Sequence, residues 1–146
     1  VLDDGTPISE ASVILQYLAD QKPGTLAPAF GSLARWKMME LLTFLATEVH
    51  KGFSALWNPA TPAEVRKGAV DRLGTRFDIL AQTLAKQPYL TGDKFSIADA
   101  YLFVLLNWTK IHKVDLGRWP ALTEFQSRVA ARAAVQATFK AEGLVK

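Results

Sequence analysis

His50 and Lys51 stand side by side in the segment Glu48-Val49-His50-Lys51-Gly52-Phe53. An imidazole that titrates near neutrality next to an ammonium could steady a developing anion such as a thiolate; the plainer reading of the same pair is a half-buried histidine and a solvated lysine. Glu10 lies at the start of an apolar periodic stretch. A helix N-terminus there would offer free backbone amides and the positive end of its dipole to a ligand carboxylate, and it would equally suit an acid with no ligand. Phe53, Trp57 and Trp108 are candidates for an apolar pocket, because aromatic walls accept flat hydrophobic compounds, although aromatics at helical spacing also fill cores. Ser96-Ile97-Ala98-Asp99 is an acidic capping box in which Ser96 and Asp99 satisfy each other's amides. Its work is structural, and loss of the Asp99 carboxylate is expected to cost about 1 to 2 kcal/mol.

Several chemistries are excluded or made remote by what is missing. The chain has no cysteine and two histidines, so it holds no thiol nucleophile and no disulfide framework, and a dedicated metal site is not expected. Its 17 basic and 14 acidic residues are spread along the sequence for a net charge of +3. No run of Lys or Arg would track a phosphate backbone, so no nucleic-acid partner is expected. The longest uninterrupted apolar stretch, Ala100 to Leu106, is far short of the roughly 20 residues of a membrane span, and no membrane partner is expected either. The opening Val1-Leu2-Asp3-Asp4-Gly5 carries no signal-peptide pattern and reads as a chain entered midway. A cytoplasmic setting fits.

The elements that must position these groups are almost all helical. Val1-Leu2 followed by Asp3-Asp4-Gly5-Thr6-Pro7 reads as a strand end and a tight turn. A helix follows, with Ser9 as N-cap, Glu10 in the first turn, and Val13, Ile14, Tyr17 and Leu18 on one apolar face. Pro23, Gly24, Pro28 and Gly31 give the next stretch a linker composition. One long helix is expected from about Ser32 to Trp57, ended by Asn58-Pro59. Thr61-Pro62-Ala63-Glu64 opens another, with Thr61 as cap and Pro62 in the first turn, running to about Lys86. The short connection makes the two an antiparallel pair. The apolar helix after Ser96 is central to the core, and Trp119-Pro120 and the Ala-rich stretch from Val129 to Ala141 supply the last helices.

Three segments then fall into one pattern: Leu2-Asp3-Asp4-Gly5 with Ile8-Ser9-Glu10, Ile14-Leu15-Gln16-Tyr17-Leu18-Ala19-Asp20, and Phe95-Ser96-Ile97-Ala98-Asp99-Ala100. In that order and at those separations the chain resembles the cytosolic glutathione transferase superfamily along essentially its whole length. The His50-Lys51 segment is similar to the bacterial beta class. The resemblance implies an all-α domain, the glutathione transferase C-terminal bundle of about five or six helices. One strand and one helix left from a thioredoxin-like α/β domain would precede it, with residues 1–22 as that remnant, 23–31 as linker and 32–146 as the helical domain.

What the resemblance implies for chemistry is conjugation of glutathione thiolate to hydrophobic electrophiles, with glutathione as co-substrate rather than a bound cofactor. The thiol-activating residue would lie in the absent part of the thioredoxin-like domain, so this chain alone is expected to be inactive. Glu10 would hold the γ-glutamyl end of glutathione, with Ala11 at the position where the family has Ser or Gly. Losing that hydroxyl is worth roughly 1 kcal/mol, the scale of one hydrogen bond. Glu48 and Lys51 would also contact glutathione, and His50 would be an auxiliary catalytic group. Phe53, Trp57 and Trp108 would line the electrophile pocket, and the protein would be a homodimer. Thr43 stands where the beta class has Asn. The alternative is a non-enzymatic interaction module on the same fold, kept open by Ala11 and Thr43.

Overall fold

The computed structural model describes residues 1–144. It contains α1 (Ala11–Asp20), α2 (Leu33–Phe44), α3 (Ser54–Trp57), α4 (Ala63–Leu84), α5 (Ile97–His112), α6 (Pro120–Ala130) and α7 (Ala133–Ala141). This is the all-α bundle expected from the sequence. Val1-Leu2, expected as a strand end, is not paired with another strand among the described residues. It closes the anticipated tight turn instead, with Leu2 N–H donating to Thr6 O at 2.8 Å and Gly5 N–H to Leu2 O at 2.9 Å. A strand needs a neighbour to take its hydrogen bonds.

The stretch expected as one helix from Ser32 to Trp57 is a single helical path that changes pitch three times. Ser32 caps α2 by accepting from Arg35 N–H at 3.1 Å. After Phe44 the chain widens into a π turn, Leu45–His50, tightens into a 3₁₀ turn, Lys51–Phe53, and returns to α in α3. Thr43 and Thr47 bond back to the carbonyls of Met39 and Thr43, at 2.9 and 3.0 Å, a pattern that loosens and bends helices. Gly52 follows, a poor helix former. A Cβ at Gly52 would stand 2.8 Å from the Leu73 side chain, so any larger residue would have to push that buried side chain aside for the tightened turn to come this close to α4.

The α4 helix starts one residue later than expected. Pro62 is extended, at φ −54° and ψ 145°, and serves as the N-cap position, while Glu64 lies in the first turn. The helix ends at Leu84 instead of Lys86. Contacts at Glu48 with Arg76, Gly52 with Leu73 and Leu56 O with Arg66 run in opposite chain directions, so this pair is antiparallel as the short connection requires. Ala69, Leu73, Phe77, Leu80 and Leu84 are buried on one stripe. Val65, placed on that face from its spacing, is exposed.

The centre is α5. Tyr101, Leu102, Phe103, Leu105 and Leu106 are all buried, and only Val104 of the inner run faces strongly outward. Its start is fixed by Asp99, which is fully buried. One carboxylate oxygen accepts from Leu90 N–H at 2.7 Å, and the other from Ser96 N–H and the Ser96 hydroxyl, each at 2.8 Å. Burial pushes this carboxyl above its ordinary range, against the three hydrogen bonds that favour the ionised form.

The α1 helix is held to this body by Arg35, which is 2% exposed. Its guanidinium meets both oxygens of Asp20, at 2.8 and 2.9 Å, and α1 also packs on α5. Its other face, carrying Val13, Ile14, Tyr17 and Leu18, is exposed. The following Pro/Gly-rich stretch is tied down as well, since Leu26 O accepts from Ile97 N–H at 3.0 Å and Ala27 is buried.

The second amide held by Asp99 raises the cost expected for its loss. Asp99→Ala strands two backbone donors, and at about 1 to 3 kcal/mol for each stranded donor the loss should be about 2 to 6 kcal/mol. Asp99→Asn, which keeps one acceptor, should fall between. Thermal or urea melts of the three proteins check this order, and an unchanged melting temperature in Asp99→Ala would refute it.

Candidate functional site

Tyr101, Trp108 and His112 lie on one stripe of α5, spaced by seven and then four residues. They face the π and 3₁₀ turns. His50 closes the π turn, and its Nδ1 lies 2.8 Å from the Tyr101 hydroxyl. Its ring stands edge-on to Trp108, with centroids 4.8 Å apart. Trp108 also meets Phe53 at 5.6 Å and Trp57 at 5.2 Å, both edge to face. Trp57 continues the row to His112 at 4.3 Å. Rare π turns recur at functional sites because they re-aim side chains that a regular helix would fix elsewhere.

The three aromatics expected in a pocket are therefore gathered, in different roles. Phe53 is fully buried, so it forms the floor beneath Trp108. Trp57 is 48% exposed, and Trp108 is half-buried. Together the two indoles make an aromatic ledge open to one side.

Glu10 stands at the other end of this ledge. It occupies the N-cap position of α1, where Ser9 was expected, and its backbone is at φ 66° and ψ 119°. That conformation is sparsely populated for a residue with a Cβ, costs of order 1 to 3 kcal/mol, and is typically retained where function requires it. The Glu10 carbonyl accepts from Val13 and Ile14 N–H, while the amides of Ala11 and Ser12 have no acceptor among the described residues. Free amides at a helix start suit a carboxylate ligand. The Tyr101 phenol is pushed above its ordinary pKa by burial and, secondarily, by the Glu10 charge, which puts Glu10 in electrostatic reach of the Tyr101–His50 pair.

Glu48 is not gathered with these groups. It points at α4, where its carboxylate accepts from Arg76 at 2.7 and 3.0 Å. Lys51 is exposed beside His50. Ser96 and Asp99 act at the start of α5, as described above. Sequence reasoning missed Tyr101, His112 and Arg66. Tyr101 is hidden inside an apolar run, although its spacing to Trp108 and His112 was visible. Arg66 donates to Leu56 O at 3.0 Å, and its charge, after burial, holds the His112 pKa below its ordinary value. No three His, Asp or Glu side chains cluster in metal-binding geometry among the described residues. No helix of the described residues is long and apolar enough to cross a membrane.

Residues 44–133 match the family described as glutathione S-transferase, C-terminal domain. The chain is 40% identical to the glutathione S-transferase GstA of Escherichia coli O157:H7, over 99% of this chain and 72% of that protein. Among solved structures, it superimposes on a sphingomonad glutathione S-transferase complexed with glutathione with a TM-score of 0.92 and 41% identity, over 99% of this chain and 72% of that one. A beta class glutathione S-transferase of Sphingomonas chungbukensis gives a TM-score of 0.93 at 39% identity, over the same shares.

The coupling of Glu10 to Tyr101 is open to titration, because the chain has only three tyrosines. In an ultraviolet pH titration, the step lost in Tyr101→Phe should lie above the ordinary phenol value. Glu10→Gln should lower it without bringing it fully back, because burial is the larger cause. A Tyr101 step unmoved by Glu10→Gln would place the two groups out of contact.

Proposed function

This chain belongs to the glutathione S-transferase family, and from that premise we propose that it works as the C-terminal part of a beta-class transferase. In this reading, residues 1–22 complete a thioredoxin-like domain, 23–31 connect, and 32–146 form the helical domain. The exposed face of Val13, Ile14, Tyr17 and Leu18 supports the reading, since apolar side chains of this size on one helix face are normally covered. The thiol-activating group belongs to the preceding domain, and the chain alone is inactive. The assembled protein is a cytoplasmic homodimer.

The observation that carries this reading is the strained Glu10 backbone beside two unclaimed helix amides at one end of an aromatic ledge. A glutathione γ-glutamyl group takes the Ala11 amide and the helix dipole, with Glu10 holding its ammonium. The sulfur then lies toward His50 and Lys51, whose positive or hydrogen-bonding groups favour the thiolate over the thiol. The thiolate attacks an electrophilic carbon of a compound lying on Trp57 and Trp108, a carbon–sulfur bond forms, and the leaving group departs with its electron pair. Glu48, engaged with Arg76, contributes to glutathione binding through the edge it presents to a partner subunit.

The interaction-module reading keeps one specific support. The Thr43 hydroxyl is spent on Met39 O and Ala11 has no hydroxyl, so two polar contacts to glutathione are absent.

Two measurements separate the readings. Glu10→Gln should weaken glutathione binding by calorimetry about tenfold, in line with the loss of one charge-assisted contact. The protein purified from its native source should be heavier than the 146-residue chain and should conjugate glutathione to 1-chloro-2,4-dinitrobenzene. A native mass equal to this chain, with no glutathione binding, favours the module.

A further inference from the structure

We propose that the end of the aromatic ledge farthest from Glu10, formed by Arg66 and His112, is a subsite for the carboxylate of an anionic aromatic second substrate. The proposal rests on reading the ledge as the electrophile site. Two observations at that end point to a ligand. Arg66 spends one N–H on Leu56 O, and no carboxylate pairs with it among the described residues. A guanidinium has five donors in a fork that matches a carboxylate. The Nε2 of His112 is buried with no hydrogen-bond partner, an arrangement that costs free energy, and in the tautomer protonated at Nε2 it has a proton to give an acceptor.

The geometry between the ends supplies orientation. From Tyr101 to His112 the α5 axis rises about 16 Å. Glu10 sets a negative charge near the Tyr101 end, and Arg66 a positive one at the His112 end, with Trp108 and Trp57 between. A flat ring lying on Trp108, with Trp57 standing edge-on beside it, is drawn with its anionic substituent toward Arg66 and away from Glu10, which leaves the opposite edge toward His50. Phe53 and Trp57 both pack on His112, and of the two Trp57 is the exposed one that can turn aside for Nε2 to be reached. It is half exposed and is followed at once by the Asn58-Pro59 break, so it has room to do so. With burial and Arg66 keeping the imidazole neutral, His112 meets the incoming anion as a hydrogen-bonding partner, and the anion in turn raises its proton affinity.

The test uses the chain with 4-chloro-3-nitrobenzoate and its methyl ester, followed by quenching of indole fluorescence. The wild type should bind the carboxylate about tenfold more tightly than the ester, the scale of one desolvated ion pair. Arg66→Gln and His112→Leu should each reduce the affinity for the carboxylate more than that for the ester, in variants whose far-ultraviolet circular dichroism shows the helices kept. The carboxylate, and not the ester, should move the His112 imidazole titration upward by NMR. An absent preference in the wild type, or one that survives both substitutions, overturns the proposal. Glutathione binding is read separately, on the protein purified from its native source: no glutathione binding there with the carboxylate preference kept refutes the transferase reading alone, and glutathione binding without the preference refutes this subsite alone.

Discussion

A buried carboxylate sets the register of the whole molecule. Asp99 has no access to water, and the amides it holds belong to two different pieces of chain, Leu90 in the loop and Ser96 at the helix entrance. An ionisable group in that position is tolerated because its lone pairs are taken by donors that would otherwise be stranded. The loop itself is closed by the Tyr89 and Gly92 backbone pair, with Gly92 at φ 119°, a conformation side chains rarely adopt. With its first turn pinned, α5 can present Tyr101, Trp108 and His112 on one side and bury Leu102, Leu105 and Leu106 on the others. A rotation of α5 by one residue, about 100°, would dissolve the ledge.

The facing wall is made by the opposite device, irregularity. The widened turn at 45–50 and the tightened turn at 51–53 bring His50, Phe53 and Trp57 against a single stripe of α5. Gly52 permits it by removing the one side-chain atom that would strike Leu73. Rigid register on one side and local distortion on the other produce a row that is polar at both ends and aromatic between. The strained backbone of Glu10 belongs to the same economy, since its conformation is fixed by the packing of α1 behind it.

Much of this was legible in the sequence wherever the signal is local. Ser32 and the Ser96–Asp99 box mark helix starts because short polar side chains there have one obvious donor to satisfy. The α4 stripe was read from its spacing, and Asn58-Pro59 ended the preceding run as a residue before proline must. What escaped depends on contacts distant in sequence. The pitch changes from Leu45 to Phe53 follow from how the run meets α4, and helical spacing alone reads as one helix. Glu10 supplants Ser9 at the cap through a positive φ that no local pattern announces. The pairing of Glu48 with Arg76 joins two different helical runs and could not be read from either one, and Tyr101 looked like core because it is core, apart from its hydroxyl. Val1-Leu2 reads as a strand end by composition, and among the described residues no strand pairs with it.

The pairing of Arg35 with Asp20 has a bearing on recombination. The seam that composition suggests lies at residues 23–31, yet the guanidinium reaches across that stretch into α1 and is sealed from water when it does. A crossover made in the Pro/Gly-rich stretch, bringing a foreign helix without an acid at this position, would leave a buried cation without its carboxylate, a destabilising change. A crossover ahead of Glu10, in the exposed turn, would carry α1 along with the body that clamps it. Chimeras between relatives should therefore inherit α1 and the bundle as one block, and the natural unit of exchange begins before the linker rather than within it.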